Sequence, residues 1–240
     1  MGRKLLLLSF LITFSTFAQD TDVQDAGDKA LFSDAIGQNI RKYIRNSQLA
    51  YHDEDYERAT FLYDSLVKHV ILNTHLDNFK VKKRSGKKID LAHFEKPMIL
   101  MSTASWCTPA PGTFPALNQI ADAYGSDIDF VVLFWDTKKN TRKASRELSK
   151  DVTVVYVDEL ENKHVDIIQN MKHSLGLPTC FLLDSDKKII DIQRTIIHPY
   201  HIPYETSFEE NYSAFFAGVQ LLAPTITIRT ELEVIGIDKN

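Results

Sequence analysis

The feature that most limits what this chain can fold into is a series of short apolar runs separated by amphipathic stretches. Met98–Met101, Asp129–Trp135 and Val152–Val157 are short and rich in aliphatic and aromatic residues. Between them, the segments from near Cys107 to Tyr124 and from Thr141 to Lys150 read as helices, and Glu159–His173 reads as a third. Pro178–Leu183 and Lys188–Ile196 then form a strand pair joined at Asp184-Ser-Asp186, and Phe208–Leu222 is an amphipathic helix. Strands that alternate with helices predict an α/β layered domain, and the closing hairpin makes its central sheet mixed.

Upstream, Ile36, Ile40, Tyr43 and Ile44 recur at helical spacing between Asp28 and Tyr51. His52-Asp-Glu-Asp55 reads as a turn and cap. A second helix follows with Ala59, Leu62, Tyr63, Leu66, Val67 and Val70 on one face. Through Tyr56, Ala59 and Tyr63 the pair looks like one tetratricopeptide-type hairpin. A single unit cannot bury its apolar faces alone, so the expectation is an extension packed on the main domain. Phe79-Lys-Val-Lys82 and Lys88-Ile-Asp-Leu91 alternate about Arg84-Ser-Gly86 and predict a β-hairpin whose lysines form a solvated face.

The N-terminus carries Arg3-Lys4, an apolar run from Leu5 to Phe14, and small residues at Ser15–Ala18. This pattern predicts a secretory signal peptide; a retained anchor helix is the alternative reading of the same run. Export would place the protein in the periplasm, the cell envelope or outside the cell, where disulfides persist. A net charge of −4 argues against nucleic-acid binding. The expected layout is a signal peptide over 1–18, a helical extension over 19–73, the α/β domain over 74–225 and a tail over 226–240. The β-branched Thr225–Ile237 could add an edge strand to the sheet.

Chemistry points to the stretch from Pro97 to Pro115, where Trp106-Cys107-Thr108-Pro109 follows an apolar strand. It resembles the active-site segment of the thioredoxin superfamily, most closely the exported TlpA-like thiol-disulfide oxidoreductases. Those carry Trp-Cys-x-Pro-Cys and a further proline nine residues after the tryptophan. Trp106, Cys107, Pro109 and Pro115 match, and Ala110 stands where the second cysteine would be. The resemblance covers roughly residues 75–225 and implies a thioredoxin-like fold with the N-terminal helical hairpin added to it. It also implies that Cys107 is the attacking thiol, set at a helix start whose free N–H groups favour the thiolate. In Gly176-Leu-Pro-Thr179, Pro178 matches the family's cis-proline beside the thiol, and Leu177 the residue whose backbone pairs with a substrate peptide. Trp106 and Pro109 would shape the site. The implied substrates are protein or small-molecule thiols and disulfides, with no cofactor and no metal.

Three departures from the pattern push away from dithiol chemistry. Ala110 removes the resolving thiol, Met101 stands where thioredoxins place a buried acid, and Pro111-Gly112 disturbs the first helical turn. Cys180 lies two residues after Pro178 on the same strand face and is the candidate second thiol. A bridge to Cys107 is conceivable there, but a buried strand cysteine is the commoner state and the favoured one. His173, His198 and His201 invite a metal reading, yet copper-handling relatives need a second cysteine four positions on, where Pro111 stands. The peroxidase branch wants a threonine at position 104, which is Ala104. Two readings result. The first is an exported single-thiol reductase or isomerase serving redox homeostasis. The second is a non-catalytic binding module whose helices at residues 28–73 help dock a protein partner.

Overall fold

Seven strands build one mixed sheet: β1 (Lys80–Lys83), β2 (Lys88–Asp90), β3 (Met98–Thr103), β4 (Asp129–Trp135), β5 (Thr153–Val157), β6 (Thr179–Leu183) and β7 (Ile189–Arg194). Their spatial order is β2-β1-β5-β4-β3-β6-β7. The structure is a computed structural model and describes residues 29–161, 169–194 and 202–223. The core strands β3, β4 and β5 run parallel, whereas β1 lies antiparallel to β5, β6 to β3, and β7 to β6. This is the mixed sheet that the strand and helix order predicts, in the thioredoxin-like arrangement that the resemblance implies. The expected signal peptide over 1–18, residues 195–201 and the expected tail over 226–240 lie outside the described residues.

Successive strand residues point to opposite faces, so the sheet carries two cores. Leu100, Leu133, Val155 and Phe181 belong to one, and Ile99, Val132, Tyr156 and Leu182 to the other. The second core is covered by α3 (Thr113–Tyr124) and α5 (Tyr204–Leu222), which contribute Phe114, Leu117, Ile120, Phe215 and Val219. The first is covered by the N-terminal helices α1 (Phe32–His52) and α2 (Tyr56–Leu66), through Phe32, Ile36, Ile40, Tyr63 and Leu66. The hairpin's apolar stripe is therefore spent on the sheet, as a single helical unit requires. Asp55 caps α2 by accepting a 2.9 Å bond from the Arg58 N–H. The helix then runs on through a π-helical turn, Val67–Ile71, which delivers Ile71 fully into the core.

Backbone bonds fasten this extension to the sheet. Phe32 N donates to the His75 carbonyl at 2.9 Å, and His75 N to that of Ala30 at 2.8 Å. His75 also bridges to Lys188 beside β7. Phe32 meets Phe181 edge-on with ring centroids 6.0 Å apart. At the end of β7 the Arg194 guanidinium lies 3.5 Å from the centroid of the Tyr63 ring and donates to the Tyr43 hydroxyl at 3.2 Å.

Two helices depart from the sequence-based expectation. The helix expected from near Cys107 begins at Thr113, because prolines 109 and 111 disfavour helical backbone at the residues before them, Thr108 and Ala110. The polar helix α4 spans Lys138–Ala144 instead of Thr141–Lys150, since Thr137 caps it by accepting from the Asn140 N–H. Of the segment Glu159–His173, the described helical part is the π-helical turn Gln169–Ser174.

Candidate functional site

Cys107 sits in a turn just beyond the C-terminal end of β3. Its N–H donates to the Ala104 carbonyl at 3.0 Å, and its side chain is hydrogen-bonded with Thr103. The sulfur is half-buried. Trp106, immediately before it, is 66% exposed, which is unusual for so large an apolar surface. Pro109 lies in the coil that carries the chain from this turn to α3.

The helix-start position that the family resemblance implies for the sulfur is not what the structure places there. Five residues separate Cys107 from Thr113, so the free N–H groups of α3 open beyond the thiol. The electrostatic consequence follows directly. Burial pushes the Cys107 thiol above its ordinary pKa, and this outweighs the opposing hydrogen bonds at Ala104 and Thr103 and the nearby Lys172 charge. Lys172 is itself ion-paired with Glu159, so its charge acts on the sulfur only in part.

Beneath the loop the floor is apolar. Met101 on β3 pairs directly with Cys180 on β6, and both are buried, at 1% and 5% exposure. Cys180 shares a core with Phe114 and Leu117 of α3, so it faces that helix as its strand register predicts. Both cysteines are free. Burial alone pushes the Cys180 thiol up to about 12, where it stays protonated and unreactive at physiological pH. Met101 and Cys180 bring no carboxylate to this floor.

An acid reaches the loop from another direction, one that sequence reasoning missed. Asp136, just after β4, accepts from the Ser105 N–H at 3.3 Å and from the Ser105 hydroxyl. Its other oxygen accepts from Thr137 N at 2.8 Å and from the Asn140 side chain at 2.7 Å. Burial opposes its charge, but these bonds prevail and hold the carboxyl below the usual carboxylate range. So engaged, Asp136 is a weak proton acceptor and a strong clamp on the residue two before Cys107. Its only signal in the sequence is Asp-Thr-x-x-Asn at the end of an apolar strand, the pattern of a helix start.

Just before β6 the Leu177–Pro178 peptide is cis. Gly176 precedes it with φ +81°, a conformation in which a side chain would be strained. Thr179 Oγ1 donates to the Gly176 carbonyl at 2.9 Å and closes this bend. Thr179 pairs with Ser102 across β3 and β6, which brings the Pro178 bend to the same sheet end as the Cys107 turn. Leu177 packs against the core that the N-terminal helices cover. Trp106, Cys107, Pro109 and Pro178 thus share one end of the sheet, while Cys180 is sealed beneath it.

Gly112 joins the site to the C-terminal helix. Its N–H donates to Ser207 Oγ at 3.1 Å, and a Cβ placed on it would stand 2.1 Å from the backbone nitrogen of Phe208. Among the described residues, no cluster of three or more His, Cys, Asp or Glu side chains could hold a metal ion. His198 and His201 lie outside the described residues.

The thioredoxin-like protein YneN of Bacillus subtilis is 23% identical over 116 residues, 48% of this chain; the chain spans 66% of that protein, just under two thirds. Among solved structures, the thioredoxin domain of a thiol-disulfide oxidoreductase from Bacteroides vulgatus is similar at a TM-score of 0.48 and 15% identity, covering 61% of this chain and 96% of that one. A thiol-disulfide oxidoreductase from Bacteroides fragilis is similar at 0.42 and 19%, covering 51% and 91%. The sequence model of the AhpC/TSA family matches residues 72–192, from the approach to β1 to the middle of β7. With that match over half its length, laid on a thioredoxin-like sheet, the chain belongs to the AhpC/TSA family.

Proposed function

We propose that the protein is an exported single-thiol disulfide-exchange protein of the periplasm or cell envelope, acting through Cys107. The observation that carries this reading is the half-buried Cys107 beside an exposed Trp106, at the sheet end that also holds the Pro178 bend. Ala104 occupies the place of the peroxidase threonine, which favours thiol-disulfide exchange over peroxide reduction within the family.

In the exchange step the Cys107 thiolate attacks one sulfur of a substrate disulfide. A Cys107–substrate disulfide forms, and the substrate's second sulfur leaves as a thiolate that takes a proton from water. Ala110 offers no internal thiol, and Cys180 is too buried and too weakly acidic to serve. Release therefore comes from outside. A second substrate thiolate attacking the mixed disulfide regenerates Cys107 with no net redox change, which is isomerisation. An external thiol reductant doing the same leaves the substrate reduced and the reductant oxidised. Trp106, Pro109, Leu177 and Pro178 would shape the surface on which the substrate chain lies.

A specific observation favours the rival reading, a binding module without catalysis. Cys107 lacks a helix start and its thiol is pushed up, so little thiolate is present at neutral pH. An ordinary thiol of pKa about 8.5 is already only about 3% ionised at pH 7. The exchange protein is accordingly expected to be slow at neutral pH and to gain rate in alkali. Refolding of a scrambled disulfide substrate, with glutathione as external thiol, separates the readings. Loss of acceleration in Cys107→Ser supports exchange; equal rates for the two proteins favour the module.

A further inference from the structure

We propose that the basic concavity between the β1–β2 turn and α4 is the docking site for an acidic polypeptide segment. The concavity encloses about 1120 Å³ and is lined by Arg84, Lys138, Lys139, Arg142, Lys143 and Arg146, with Ser85 and Asn140 as its other walls. Among the described residues no carboxylate lines it, in a chain whose net charge is −4. Lys138 is used within the fold, its Nζ donating to the Ser85 carbonyl at 2.7 Å and pinning the turn against the helix. Among the described residues the other five cations are in no ion pair.

Their arrangement is costly unless something fills it. Lys139, Arg142, Lys143 and Arg146 stand at i, i+3, i+4 and i+7, so they share one face of α4 and the turn after it. Like charges at this spacing destabilise a helix by about as much as opposite charges stabilise it. A cleft lined by one sign of charge also concentrates the field and raises the local concentration of counter-charge.

Three features select the kind of anion. The cations reach about 10 Å along the helix axis, at 1.5 Å per residue, which spreads the charge too far for a single phosphate. Alternate side chains of an extended peptide recur about every 6–7 Å on one side, so two or three carboxylates would fit the row. A concave wall built from a hairpin turn and a helix suits a chain and not a flat bilayer. Among the described residues no aromatic side chain lines the site to stack a base, which disfavours a nucleic acid.

The pocket is wired to the thiol loop. Asn140 on its wall donates to Asp136, and Asp136 holds Ser105, two residues before Cys107. Resting on the exchange reading above, the docked segment belongs to the disulfide substrate, and the selectivity is for cysteines flanked by acidic sequence.

The test measures binding without redox chemistry. The full chain carrying Cys107→Ser is titrated against a labelled, cysteine-free octapeptide with glutamates at alternate positions, followed by fluorescence anisotropy. Binding is expected to weaken with salt and to fall about tenfold or more when glutamine replaces glutamate, or in Arg142→Glu/Lys143→Glu/Arg146→Glu. Arg84→Glu, on the opposite wall, provides a second variant independent of α4 and is expected to weaken binding several-fold. Absence of binding, or binding indifferent to both variants, overturns the proposal. So does tighter binding to phosphatidylglycerol vesicles or to pyrophosphate than to the peptide. A Cys107 inert in the refolding assay removes the exchange reading and leaves this site standing. Activity on neutral disulfides without peptide binding does the reverse.

Discussion

The backbone of Gly112 and the backbone of Phe208 approach so closely that a methyl group on Gly112 would stand 2.1 Å from the Phe208 nitrogen. Gly112 has φ −87°, which any residue could adopt, so glycine is required here for space and not for conformation. The neighbouring bond from Gly112 N to the fully buried Ser207 hydroxyl fixes the same contact. Gly112→Ala is expected to destabilise the protein by about 3 kcal/mol, because backbone and not a side-chain tip must yield. Ser207→Ala should cost about 1–2 kcal/mol by leaving a buried N–H unpaired. Urea unfolding monitored by tryptophan fluorescence ranks the two.

Burial raises the Cys107 thiol, hydrogen bonds at Ala104 and Thr103 oppose it, and the Lys172 cation that Glu159 partly neutralises adds a smaller opposing effect. Alkylation rate against pH should give a midpoint above the ordinary thiol value of about 8.5. In Glu159→Gln the Lys172 charge acts on the sulfur unopposed, and the midpoint should move down. An unchanged midpoint would show that Lys172 does not reach the thiol.

Cys180 makes a prediction about alkali. Its thiol is raised to about 12 in the folded protein, so folding favours the protonated form. That contribution is fully present below the unfolded value of about 8.5 and is lost as pH climbs toward 12, at about 1.4 kcal/mol per pH unit. Cys180→Ala should be about 1 kcal/mol less stable at pH 7, because it opens a small cavity. It should also lose stability more slowly above pH 9. Chemical denaturation at pH 7, 9 and 10 shows whether the two curves converge.

Arg194 ties the last strand to the N-terminal helices through the Tyr63 ring and the Tyr43 hydroxyl. Arg194→Ala is expected to cost about 1–2 kcal/mol, the sum of a cation–π contact and a hydrogen bond. Arg194→Lys should recover part of this, since an ammonium keeps the charge but not the planar stacking. Hydrogen exchange in α2 should rise with the loss, because α2 is the element the contact holds down.

Most of the sheet was legible because its signals are local. Apolar runs, the Arg84-Ser-Gly86 turn and the Asp55 cap each occupy a few adjacent residues, and each appears where its pattern puts it. Cys107, Trp106 and Pro178 could be singled out for the same reason. The start of α3 was misread because a matched motif outweighed the local effect of Pro109 and Pro111, although that effect is written in the sequence. Ser207 and Arg194 could not be found that way. Their partners lie 95 and 151 positions off, and no short pattern encodes such a pairing.

The N-terminal helices are the first part of the fold to be synthesised and among the last to find a place. Phe32, Ile36 and Ile40 cover a sheet face whose Phe181, Ile189 and Ile192 come from β6 and β7. Closing contacts across so much chain is slow compared with forming the helices themselves. A ribosome-bound fragment ending before β6 would therefore lack part of the sheet face that this apolar stripe covers, and what stays uncovered is a surface open to chaperones. On the proposed route out of the cell this delay is useful, since a chain that cannot close its core early stays threadable until its last strands have passed.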